Sequence, residues 1–201
     1  MIARLICILC GMLLVLNAQA QEYVDLGLSV NWATYNVGAK SIDEIGIAYI
    51  PGTLIPYSPT IDIASSMVNH KEDFSGNPEY DVAAATWERG WRTPTYQEWK
   101  ELCSKCKIRR SIYKTQNGDK LCGCTVIGPN GNSIFIPVSY KVFKSWSCYQ
   151  CSSAVAVAKG KTHPDYCFDV GFFVVGGKLI TPERIRLFKG FYVRPVIDKQ
   201  Q

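Results

Sequence analysis

Thiols have the widest chemical repertoire among the side chains here, and they come in pairs: Cys103-x-x-Cys106, Cys122-x-Cys124 and Cys148-x-x-Cys151, with Cys167 alone. Two thiolates separated by two residues can chelate one metal ion or cycle between dithiol and disulfide. The surroundings of Cys103 and Cys106 point elsewhere. With Trp99 and Leu102 they fall at i, i+3, i+4 and i+7 of a helical period, so both lie on an apolar face, where cysteine packs as a small hydrophobe or bridges to a neighbouring strand. Cys148 and Cys151 are expected to form disulfides with Cys167 or with Cys122 and Cys124, given an oxidising compartment. Two further cysteines, Cys7 and Cys10, lie near the start. Without them the count is seven, which leaves at least one thiol free or joined to another molecule.

Other chemistry is sparse. His70 and His163 are the only histidines, and neither stands in a metalloprotease, Cys-His or Ser-His-Asp spacing. Phosphate-cradling glycine loops are absent from the sequence, the carboxylates are scattered, and no cofactor is expected. Aromatic side chains are plentiful, and exposed rings serve binding surfaces. Trp87, Trp91 and Trp99 sit at or near helices and read as core. Trp146, in a loop-like segment, is the candidate ligand contact, and Tyr49 and Tyr57 of an irregular stretch could join it.

These residues need a scaffold, and the chain supplies the signals for one. Arg4 precedes an apolar run from Leu5 to Leu16, followed by Ala18 and Ala20 in a small-x-small arrangement. That is a signal peptide with its cut expected between Ala20 and Gln21. The run is too short to span a bilayer. Bulky Ile6 and Leu9 before Cys7 and Cys10 argue against a lipid anchor. Residues 21–201 then read as a single exported domain, periplasmic, surface-displayed or extracellular. With 47% hydrophobic and 19% charged residues it has material for a core. The formal charge of +5 falls to +4 without Arg4. The cations are dispersed except for Lys105, Lys107, Arg109, Arg110 and Lys114, read as a solvated face, and export argues against a nucleic-acid partner.

Alternation around Gly27 from Tyr23 to Ala33 predicts a hairpin, and residues 37–78 read mostly as loop. Asp81 is placed to cap a short helix ended by Gly90. Thr95-x-x-Glu98 is a capping box that opens a second, amphipathic helix. Beyond residue 110, β-prone runs are divided by Asn117-Gly118, Asn130-Gly131 and Gly176-Gly177, with Phe191 to Ile197 as the last strand. Helices first and a meander later imply an α+β class.

The segment Trp91-Arg92-Thr93-Pro94-Thr95-Tyr96-Gln97-Glu98-Trp99 resembles the W-R-x-P-T-x-x-E-W signature of the Fibrobacter succinogenes major paralogous domain family of exported bacterial domains. Tyr23 to Val30, Trp32-Ala33, Asn36-Val37-Gly38, Tyr80 to Ala83, Gly128 to Pro137, Ser145-Trp146-Ser147 and Val193 to Val196 agree with it in order and spacing. The resemblance spans nearly the whole mature chain. It implies a C-type-lectin-like fold, with two helices flanking a small, mainly antiparallel sheet, long loops and paired terminal strands. It also implies distant kinship with the formylglycine-generating sulfatase-modifying enzymes. Cys148 and Cys151 fall roughly where those enzymes place a copper-binding pair, but with closer spacing and without the serine and arginine context. Residues 42–50 depart from the family's usual acidic and aromatic stretch.

Three functional expectations follow. The first is a noncatalytic binding module, secreted or surface-displayed, that takes a glycan or a protein through its long loops. The second is a copper-dependent oxidase using Cys148 and Cys151. The third is a structural component of a cell-surface assembly.

Overall fold

The computed structural model describes residues 22–61, 73–87, 89–138, 140–142, 145–147, 150–158, 165–170, 173–175, 178–180, 184–186 and 190–200, with backbone alone between 139 and 149 and between 154 and 189. The expected signal peptide with its expected Ala20–Gln21 cut, His70, Cys148 and His163 lie outside the described residues. In chain order the elements are β1 (Tyr23–Asp25), β2 (Val30–Ala33), β3 (Ala48–Tyr49), α1 (Val82–Trp87), α2 (Tyr96–Lys105), β4 (Lys107–Lys114), β5 (Lys120–Ile127), β6 (Ser133–Pro137), β7 (Tyr140–Val142), β8 (Ser145–Ser147), β9 (Cys151–Ala158), β10 (Asp165–Val170), β11 (Phe173–Val175), β12 (Lys178–Ile180), β13 (Arg184–Arg186), β14 (Phe191–Tyr192) and β15 (Val196–Asp198). The chain is α+β, with two described helices and small antiparallel sheets.

The first and last strands share one sheet in the order β1-β2-β15, so each pairs with β2 rather than with the other. The β1–β2 turn closes as the glycine signal suggests: Gly27 has φ +75° and donates its N–H to Asp25 Oδ1 at 2.7 Å. β4, β5 and β6 form a second sheet, with Lys114 opposite Lys120 at the Asn117-Gly118 end. β9, β10 and β13 form a third, and β3–β14, β7–β8 and β11–β12 are two-stranded ribbons.

Two expectations need correction. The strand read from Phe191 to Ile197 is broken into β14 and β15. Pro195 has no N–H for a ladder, and the intervening Arg194 side chain turns inward, where Nε reaches Asn36 Oδ1, Nη1 the Ala33 carbonyl and Nη2 the Phe135 carbonyl at 2.9–3.1 Å. The segment around Trp146 is strand β8, paired with β7, rather than loop.

Two hydrophobic clusters carry the packing. One gathers Trp32, Trp99, Leu26, Leu102, Val126, Ile136 and Val196 where the terminal sheet, α2 and the inner face of β4–β5–β6 meet. The Trp32 and Trp99 rings meet there at 4.6 Å between centroids. The other joins Trp87, Trp91, Tyr49, Phe74, Cys151, Phe191 and Val193. Trp87, Trp91 and Trp99 are all buried, as their placement at or near the helices suggests, and Tyr49 is buried too rather than part of an exposed loop.

Candidate functional site

The Trp91–Trp99 segment builds a lock rather than a site. Thr95 caps α2 by accepting the Glu98 N–H, and the Thr95 N–H returns to the Glu98 carboxylate at 2.7 Å. Glu98 also holds Arg92 in a two-pronged ion pair at 2.6 and 2.9 Å, and Asp198 of β15 takes the same guanidinium at 2.7 Å. These bonds hold Arg92 firmly protonated. Backbone bonds between Arg92 and Val196 close the link from both sides. Asp81, fully buried, is the second hub. Its carboxylate accepts the N–H groups of Gly76, Ala83 and Thr93 and the Thr93 hydroxyl at 2.6–2.9 Å. One side chain therefore caps α1 and ties two loops to it.

The cysteines separate by burial. Cys103 lies on the apolar face of α2, and burial pushes its thiol up to about 12. Cys106, expected on the same face, is instead the C-cap residue, half-buried, with its N–H on the Leu102 carbonyl and its thiol pushed up to about 11 by burial. Cys124 is buried within the same cluster, and Cys122, two residues earlier on β5, is half-buried. Cys151 packs in the second cluster and donates its thiol to the Ser152 carbonyl at 3.2 Å. Burial pushes the Cys151 thiol upward, as for a thiol packed among apolar side chains. Cys106, Cys122 and Cys151 carry free thiols in this structure. The backbones of Cys167 and Trp146 run in β10 and β8. Among the described residues no three His, Cys, Asp or Glu side chains are arranged to hold a metal ion.

The outer face of β4–β5–β6 is more open. The ladder sets Ser111 opposite Gly123 and Thr125 opposite Phe135, so Ser111, Tyr113, Gly123, Thr125, Ser133 and Phe135 share the face turned away from the core. Gly123 is the decisive residue. A Cβ there would overlap the Phe135 ring and the Ile136 carbonyl, so glycine alone lets that ring lie across the strand. Tyr113 packs on Phe135 with centroids 5.5 Å apart, and Thr125 donates to the Ser111 hydroxyl at 2.7 Å. Thr34 and Ile42 complete a groove of about 250 Å³. The loop carrying Ile42 is fastened to the sheet by the Gln116 N–H on Asp43 Oδ2 at 3.2 Å. The groove's polar groups are hydroxyls flanked by apolar surface, suited to recognition through hydrogen bonds and ring contact. Ser133 and Phe135 fall in the Gly128–Pro137 segment of the resemblance and Ile42 in the departing 42–50 stretch, but the sequence reading marks none of the three as a ligand contact. The available signal is a glycine inside a strand. No family model, curated protein or solved structure matches this chain.

The basic run is placed as expected. Lys107, Arg109, Arg110 and Lys114 are exposed along β4, which lies at the edge of its sheet. Charges there discourage pairing with a stray strand.

Proposed function

We propose that the mature chain is an exported, noncatalytic binding module of C-type-lectin-like architecture, secreted or held at the cell surface, which takes a glycan or protein ligand in the groove over β4–β5–β6. The observation that carries this reading is the groove itself: a sheet face cleared by Gly123, floored by Phe135 and Tyr113, and lined with the hydroxyls of Ser111, Thr125 and Ser133. A mobile loop is not needed to build it. The resemblance across Trp91–Trp99 supports the architecture, because the residues that carry it form the lock joining α2 to the last strand. The leader-like residues 1–20 support export.

Glycan-array and pull-down screens of the mature protein test the reading. It expects a ligand whose binding falls on Tyr113→Ala while melting stays close to wild type. An absence of any ligand in both screens would count against it.

A further inference from the structure

A second polar cleft lies on the terminal sheet, lined by none of the residues that line the groove. Pleating puts Tyr23 and Asp25 of β1, Asn31 of β2 and Ile197 of β15 on one face, with Asp25 opposite Asn31 and Asn31 opposite Ile197. With Asp198, Lys199 and Gln200 these residues enclose about 370 Å³, inside the ~300–1,000 Å³ range of small-molecule sites.

Its chemistry is mixed in a particular way. Tyr23 is 55% exposed, an uncommon outlay of aromatic surface, while its ring is steadied by Trp91 at 6.4 Å. Of the two carboxylates, Asp25 is matched in charge, its Oδ1 taking Lys199 Nζ at 2.8 Å, whereas Asp198 Oδ1 shares Arg92, at 2.7 Å, with Glu98. Each keeps its other oxygen without a hydrogen bond from a described residue. Asn31 is 8% exposed, and its Oδ1 is buried with no hydrogen-bond partner among the described residues, a cost that native proteins seldom carry without a use. The Asp25–Lys199 pair beside Tyr23 is neutral and exerts no net pull on a bare ion. What remains is an exposed ring beside acceptors and an ammonium donor.

We infer that this cleft is a saccharide subsite for a neutral pyranose. The apolar face of the sugar lies on Tyr23, and its hydroxyls, each both donor and acceptor, bridge the open carboxylate oxygen of Asp25 and the ammonium of Lys199, with the Asn31 amide beneath. A hydroxylated ring meets both kinds of polar group at once, as a simple anion or cation does not. The inference stands on the cleft and is independent of the groove over β4–β5–β6.

The test is saturation-transfer NMR on the mature protein with the methyl pyranosides of glucose, galactose, mannose and N-acetylglucosamine. At least one should receive saturation concentrated on the ring protons of a single face. That signal should be lost in Tyr23→Ala, with affinity down about tenfold, should persist in Tyr23→Phe, should weaken in Lys199→Ala, and should be untouched in Tyr113→Ala. Melting curves on each variant establish folding, and should Tyr23→Ala not fold, Lys199→Ala at an exposed position carries the decision. Silence from all four sugars, or equal transfer to wild type and Lys199→Ala, overturns the inference. Loss in Tyr113→Ala with retention in Tyr23→Ala also overturns it, while leaving the groove as the sugar site.

Discussion

The Arg92–Glu98–Asp81 lock and the groove over β4–β5–β6 use the same kinds of polar atom to opposite ends. In the lock, the Asp81 carboxylate meets four close donors and the Arg92 guanidinium meets two carboxylates. Asp81 has no acceptor to spare, and of the carboxylates on Arg92 it is Asp198, at the rim, that keeps an open oxygen. In the groove, hydroxyls stand beside the half-buried Tyr113 ring and the buried Phe135 ring, and among the described residues the only hydrogen bond between those hydroxyls is that of Thr125 to Ser111. The contrast shows where this fold places its stability: saturated buried networks hold the frame, and a face cleared by one glycine is left less saturated.

The hardest blow to the comparison falls on the lock. Asp81→Ala strands the N–H groups of Gly76, Ala83 and Thr93 without their acceptor, and a loss on the order of 4 kcal/mol should appear in urea unfolding. A loss below about 1 kcal/mol would mean that the hub is dispensable. Arg92→Lys keeps the charge but not the fork that grips Glu98 and Asp198, and should cost about 2 kcal/mol in the same assay. On the groove side, Gly123→Ala forces Phe135 or the strand to shift. About 1–3 kcal/mol should be lost, together with ligand binding, whereas unaltered binding would show that the groove floor is not used. Thr95→Ala removes one half of the capping box and should lower stability by about 1 kcal/mol.

The smallest effect belongs to Asp25. Its hydrogen bond from Lys199, then the Gly27 N–H, holds its carboxyl below the ordinary value of 3.8. With the folded value depressed, the ion pair adds stability above the unfolded aspartate range and loses it as pH falls through the folded value. The group is exposed, so the contribution is slight. An NMR titration of the Asp25 carboxyl carbon should show a midpoint below 3.8, and a midpoint at or above it would mean the pair does not form in solution.

How much of this could be read from the residues depended on distance along the chain. The α2 cap is legible because Thr95 and Glu98 are three apart and bond each other, and Asp81 is recognisable as the cap of α1. That the same carboxylate also takes Thr93 and Gly76 is not legible, because those partners are set by how two loops fold back. Pro195 announces a break that the apolar run from Phe191 obscures, and the inward turn of Arg194 depends on carbonyls of Ala33 and Phe135, more than fifty residues away. Tyr49 has a ring suited to binding, yet β3 pairs with β14 and buries it. The groove is the least legible feature, since its face depends on the register of three strands and its only local sign is Gly123.

The division between frame and surface is tested most directly by measuring affinity and melting on the same samples of wild type, Thr95→Ala and Tyr113→Ala, using the ligand recovered from the glycan and protein screens. Below its transition Thr95→Ala should bind like wild type while melting earlier, and Tyr113→Ala should melt like wild type while binding about tenfold more weakly. Wild-type affinity in Tyr113→Ala, or lost affinity in folded Thr95→Ala, would contradict the account.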